Sequence, residues 1–161
     1  MQIEMTIKGL MVDPVTSMPI VILRDKTGKN ILPIWVGIFE ANAIASQIEN
    51  VETPRPMTHD LVKNLIDNFN GEVKKIVITD LEESTFYASI HININDKIST
   101  VDSRPSDAIA IALRAKAPIF AEQEIIDQAK NSDIKPPAGE SERLEQWLED
   151  LDEDSLGKYK M

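Results

Sequence analysis

Apolar positions follow two rhythms along the first half of the chain. Ile3 to Val12 is apolar-rich with partial alternation, Met18 to Arg24 is a short β-branched run, and Ile31 to Val36 is another. These runs predict three strands. Asp13-Pro14 breaks the first, because proline restrains the residue before it and cannot donate to a ladder. Asp25 to Asn30 is a turn, so the three strands read as a meander. The rhythm then lengthens. Ala41, Ile44, Ala45 and Ile48 recur at helical spacing and predict a helix from about Phe39 to Asn50. After the loop Thr53-Pro54-Arg55-Pro56, Thr58 is expected to cap a second helix. Leu61, Leu65, Ile66 and Phe69 lie on its apolar face, and Asn70-Gly71 ends it.

The same order returns in the second half. Val73 to Thr79, Thr85 to Ile94 and Lys97 to Val101 read as strands, and Ser106 to Ala117 and about Ala121 to Asn131 as helices. Sliding the chain on itself by 67 residues gives 11 gap-free identities, among them Asp13/Asp80, Ser17/Ser84, Ala41/Ala108, Ile44/Ile111 and Asp60/Asp127. Composition alone gives roughly four or five. The expectation is an α+β domain over residues 1–135, built from duplicated β3α2 units (1–67 and 68–134) with a mixed sheet flanked by helices. An accidental match between two alanine-rich helices is the alternative. The repeat sets Glu40 opposite Asp107, each one residue before an Ala-x-Ala-Ile-Ala helix. If the halves are related by a pseudo-twofold axis, the small alanines let these helices approach and bring the two acids together. Each acid also suits the positive end of its own helix.

After Lys135 the character changes. Pro136-Pro137-Ala138-Gly139 reads as a linker, and Ser141 starts an acidic amphipathic helix with Leu144, Trp147, Leu148 and Leu151 in one stripe. Such a stripe calls for a partner surface, on its own domain or on another subunit. With Trp35 and Phe39 it suggests a homo-oligomer, a dimer first, although the same aromatics also fill cores.

Charge and composition narrow the function. The absence of cysteine excludes disulfides, a thiolate nucleophile and Cys-ligated zinc. No apolar run is long enough to span a bilayer and MQIEMTIKGL is not a signal peptide, so no membrane association and a cytoplasmic location are expected. The net charge of −10 is half carried by residues 136–161, with eight acids against three bases. Nucleic-acid binders usually show a basic face, and no window here reads as one. A nucleic-acid partner would need a metal or a patch assembled in space, for which Arg24, Lys26, Lys29, Arg55, Lys63, Arg104 and Arg114 are candidates.

The densest chemistry lies in Val101-Asp102-Ser103-Arg104-Pro105-Ser106-Asp107-Ala108, a strand-to-helix corner. Pro105 has no N–H to lose at a helix start, and Ser106 or Asp107 can accept from the first free amides. A cap does not require Asp102, Ser103 and Arg104 as well. The blocks DSRPSDAIAIALRAKAPIF (from Asp102), ILPIWVGIFEANAIA (from Ile31) and RPMTHDLVKNLI (from Arg55) resemble the bifunctional nuclease domain family over roughly residues 1–135. That resemblance implies hydrolysis of phosphodiester bonds in DNA, RNA or both. It does not fix a mechanism, so site roles must come from chemistry.

No glycine-rich phosphate loop, GxSxG elbow or HExxH motif is present. His91 shares an alternating strand face with Ser89 and Asn93 and reads as a surface or hydrogen-bonded histidine. His59, beside Asp60 at a helix start, suits a metal ligand or general base. Phosphodiester hydrolysis needs an activated water and neutralisation of charge on phosphorus, which carboxylates holding Mg²⁺ or Mn²⁺ supply. In this metal-assisted reading Glu40, Asp60, Asp102 and Asp107 are ligands. His59, Arg104 and Asp107 are catalytic, with His59 as base and Arg104 clamping a phosphate oxygen. Arg55, Ser103 and Ser106 orient substrate. The competing reading is a non-catalytic binding or assembly module in which the corner is a polar brace, with Arg104 pairing Asp102 or Glu40.

Overall fold

A computed structural model describes residues 1–131. The element order is β1 (Gln2–Val12), β2 (Pro19–Asp25), β3 (Ile31–Trp35), α1 (Ile38–Ile48), α2 (Thr58–Asn68), β4 (Gly71–Glu82), β5 (Thr85–Ile94), β6 (Lys97–Ser103), α3 (Pro105–Ala115), β7 (Ile119–Glu122) and α4 (Gln123–Asn131). This is an α+β fold around one seven-stranded mixed sheet in the order β3-β2-β1-β7-β4-β5-β6. Two antiparallel meanders, β1–β2–β3 and β4–β5–β6, are joined through β7, which runs antiparallel to β1 and parallel to β4. The acidic helix expected after Ser141 lies outside the described residues.

Turn chemistry fixes the meanders. The Glu82↔Thr85 and Ile94↔Lys97 pairs close over Glu83-Ser84 and Asn95-Asp96, all four residues at positive φ, as a two-residue primed turn requires. Asn and Asp tolerate that conformation better than Glu and Ser do, so the β4–β5 turn is the more strained. At the β1–β2 turn, Asp13 is only 1% exposed. Its carboxylate accepts from the Val15 amide (2.9 Å), Thr16 Oγ1 (2.8 Å) and Trp35 Nε1 (2.9 Å). Burial opposes its ionisation, but these donors outweigh it and hold Asp13 below the usual carboxylate range.

The core lies between the sheet and the helices. Val21, Leu23, Ile76, Ile78 and Ile90 face Ile44, Ile109 and Ile126. Central in it is α3, with Pro105, Ser106 and every residue from Ala108 to Ala112 buried. Ala41, Ala108, Ala110 and Ala112 are fully covered, so α1 and α3 meet through small side chains. Both helices run 11 residues, and α3 begins 67 residues after α1.

Three expectations need correction. Ala121 is not the start of a helix: residues 119–122 form β7, because alternating Ile119 and Ala121 fill the gap between β1 and β4. Leu61, Leu65 and Phe69 do not face the core. They are exposed, while Val62 and Ile66 pack inward, since a face that includes Ile66 extends toward Val62 rather than Leu65. Side-chain capping also differs. Met57 and not Thr58 is the N-cap of α2, and Arg104 is the N-cap of α3 with Pro105 in the first turn, neither with a hydroxyl cap.

Candidate functional site

Three helix N-termini deliver the site. Glu40, Asp60 and Asp107 each occupy the third position of their helices, after the N-caps Gly37, Met57 and Arg104. First-turn acids are favoured there by the positive helix end, yet here each carboxylate also reaches a cation.

Asp107 is the hub. Its Oδ1 lies 2.8 Å from His59 Nε2, and its Oδ2 accepts from Arg104 Nε at 2.7 Å. Arg104 Nη2 reaches Glu40 Oε1 at 2.9 Å, so one guanidinium bridges the first-turn acids of α1 and α3. Burial works against ionisation of Asp107, but the hydrogen bonds from Arg104 and His59 prevail and its pKa is lowered. Arg104 is correspondingly raised, first by its hydrogen bond to Asp107 and then by Glu40. An ionised Asp107 has no proton to donate. The His59–Asp107 contact therefore requires a proton on Nε2; in the neutral ring this leaves the Nδ1 lone pair as the basic position.

The backbone prepares these contacts. A Cβ on Gly37 would collide with Glu40 Oε2, so the glycine gives the carboxylate room to fold over the start of α1. Ser103 Oγ donates to the Arg104 carbonyl at 2.8 Å and braces the corner between β6 and α3. Arg104 spends Nε and Nη2 on carboxylates while its side chain remains 65% exposed, so its other N–H donors face outward. Beside it opens a cleft of about 490 Å³, walled by Trp35, Gly37, Arg104 and Ser106 and by the turn residues Asp13 and Ser84.

The remaining sequence-predicted residues divide. Asp60 belongs to a neighbouring pair: its Oδ1 accepts from Arg114 Nε at 2.6 Å and its Oδ2 from the Met57 amide at 2.9 Å. The Met57 amide, followed by Arg114, lowers its pKa against the effect of burial. Arg55 lines a separate cleft of about 340 Å³ that Asp60 and Arg114 also border. Asp102 is exposed on β6, opposite Ser89, outside the Asp107 cluster. His91 pairs with Ser89 Oγ at 3.1 Å. Sequence reasoning gave Arg114 only a place in a basic patch. Its spacing of seven residues from Asp107, which puts both on one helix face, was the available signal.

The donor set tests the expected divalent ion. Both oxygens of Asp107, both of Asp60 and Oε1 of Glu40 already accept from N–H groups. Among the described residues no group of three or more His, Asp and Glu side chains is arranged to hold a metal. Guanidinium groups sit where a cation would, so the arrangement is that of ion pairs and does not fit a preformed Mg²⁺ or Mn²⁺ site.

Comparison with known proteins adds the family. Residues 21–133 match the model of the bifunctional nuclease domain. An uncharacterised protein of Mycobacterium tuberculosis is 37% identical over 98% of both chains. Bifunctional nuclease 2 of Arabidopsis thaliana is 34% identical over 60% of this chain and 30% of its own length. Bifunctional nuclease 1 of Oryza sativa subsp. japonica is 26% identical over 75% of this chain and 38% of its own.

Proposed function

Because this chain belongs to the bifunctional nuclease domain family, we propose that it hydrolyses phosphodiester bonds of DNA or RNA at the Glu40–Arg104–Asp107–His59 cluster. The carrying observation is that one ionised carboxylate, Asp107, holds a histidine on one oxygen and an exposed arginine on the other. In this reading the general base and the phosphate-binding fork stand on the two oxygens of one carboxylate.

The roles follow from the donors. Asp107 fixes the ring of His59 and its tautomer, so that Nδ1 takes a proton from the attacking water. The outward N–H groups of Arg104 hold non-bridging phosphate oxygens and meet the charge that grows on them. Glu40 holds the guanidinium from the other side. In water a guanidinium braced by two carboxylates binds phosphate weakly. The Arg104 side chain is 65% exposed, so its phosphate contact is a solvent-screened, charge-assisted hydrogen bond. No step is assigned to a metal, since the donor set is already satisfied.

The test is cleavage of single- and double-stranded DNA and RNA, with Mg²⁺, with Mn²⁺ and with EDTA, by the native chain and by His59→Ala and Asp107→Ala. Activity that both substitutions remove while the fold stays intact supports this site. Activity unchanged in both variants places the chemistry elsewhere.

One observation favours a second reading, an assembly module. Phe39 is 87% and Phe69 71% exposed, and Met57, Leu61 and Leu65 continue an apolar stripe along α2. A symmetric dimer through α1 and α2 would cover it. Light scattering of native and Leu61→Glu protein decides whether this face makes the oligomer. Among the described residues no helix is long and apolar enough to cross a membrane.

A further inference from the structure

We propose that Arg114 and Asp60 are positioning residues, a clasp that sets where His59 stands against Asp107; the inference rests on the site reading above. α2 has no fully buried residue, so core packing holds its place and its rotation only in part. Val62 and Ile66 reach the core only in part. The helix nevertheless presents His59 to a single oxygen of Asp107 at 2.8 Å.

The Arg114 clasp supplies the missing constraint. The Arg114 side chain is 7% exposed, and its guanidinium joins three helices. Nε donates to Asp60 Oδ1 on α2 (2.6 Å), Nη1 to the Ala110 carbonyl on its own helix (2.9 Å) and Nη2 to the Ala43 carbonyl on α1 (3.1 Å). The second oxygen of Asp60 accepts from the Met57 amide, which is the N-cap of α2. The carboxylate is therefore tied to the start of its own helix and to α3 at once.

Asp107 and Arg114 are seven residues apart on α3 and share a face. His59 and Asp60 are consecutive on α2. α3 thus grips the first turn of α2 at two points, Asp107 on His59 and Arg114 on Asp60. Beside the partial packing of Val62 and Ile66, one polar contact would leave α2 more freedom to roll, and a roll would carry His59 off the Asp107 oxygen. Two contacts remove that freedom. A buried arginine is costly unless its donors are met, and here Asp60 supplies the charge and two carbonyls the geometry.

The chain has only two histidines, so nitrogen NMR of the imidazole rings reads the arrangement directly, with His91 as the internal reference. In native protein at alkaline pH, His59 is expected to hold its proton on Nε2. Asp60→Asn is the first variant. Its amide oxygen can serve either the Met57 amide or Arg114, while its NH₂ opposes the other donor. Arg114→Ala is the second, scored only if thermal melting shows it folded.

In both variants the His59 proton is expected to spread over Nδ1 and Nε2 while His91 is unmoved. Cleavage is expected to lose kcat on the order of tenfold to a hundredfold with KM within about twofold. A folded Asp60→Asn protein with the native His59 tautomer overturns the clasp, whatever its activity. If native protein cleaves nothing but its His59 tautomer relaxes in Asp60→Asn, the clasp stands and the nuclease reading falls.

Discussion

Asp107 and His59, 48 residues apart in sequence, meet at 2.8 Å through Oδ1 and Nε2, each delivered by the first turn of its own helix. The carboxylate is held ionised by Arg104 and His59 against its burial. The expected effect of Asp107→Asn follows from that. The amide can turn its NH₂ toward Nε2, which then must accept, and the ring adopts the wrong tautomer. Cleavage is expected to fall by about 10²-fold or more, with a modest loss of melting temperature as the pairing of the ionised carboxylate with Arg104 and His59 is lost. A rate close to native, measured under single-turnover conditions, contradicts the base role of His59.

Arg104 is expected to act on binding. Arg104→Gln removes a phosphate contact, so affinity for an oligonucleotide drops and the slope of log K against log salt becomes shallower by about one. Fluorescence anisotropy across a salt series measures both. An unchanged slope means that Arg104 only braces Glu40 and Asp107.

Gly37→Ala separates bracing from stability. The added methyl meets Glu40 Oε2, the far end of a side chain that can swing away, and the Gly37 φ of −71° suits alanine. Stability is expected to change by less than about 1 kcal/mol, while Glu40 leaves Arg104 and phosphate affinity changes. A destabilisation well beyond that range by chemical denaturation would show that Glu40 has nowhere to move.

Stability is expected to fall in two stages on acidification. Burial, then Lys75, lowers the pKa of His91 below 6.5. The unfolded chain therefore binds the proton first, and the contribution of neutral His91, full above 6.5, is lost as pH falls through the folded value. Asp13, Asp25, Asp60 and Asp107 are lowered from 3.8. They stabilise above that value and lose their contribution below it. Urea unfolding across pH checks this, with His91→Gln expected to flatten the upper stage only.

Much of the fold was legible in the sequence because its signals are local. Alternation marked the strands of both meanders, and Pro105 marked the start of α3. β7 was not legible, because four residues of a parallel pairing carry no period of their own and borrow their partners from β1 and β4. The exposure of Leu61 and Leu65 was hidden for a related reason, since helical spacing defines a stripe but not which side of it meets the core. At the site, residue types at a corner and at helix starts named Glu40, His59, Arg104 and Asp107. Their partnering, and the Asp60–Arg114 clasp, depend on how α2 crosses α3, which no spacing within one segment specifies.

The most direct test is single-turnover cleavage of single-stranded RNA and DNA by native protein and by His59→Gln, in EDTA and in Mn²⁺, with folding matched by melting temperature. A base held by Asp107 gives native cleavage that survives EDTA and falls about 10²-fold or more in His59→Gln. Cleavage that needs Mn²⁺ and is indifferent to His59 would contradict the metal-independent assignment.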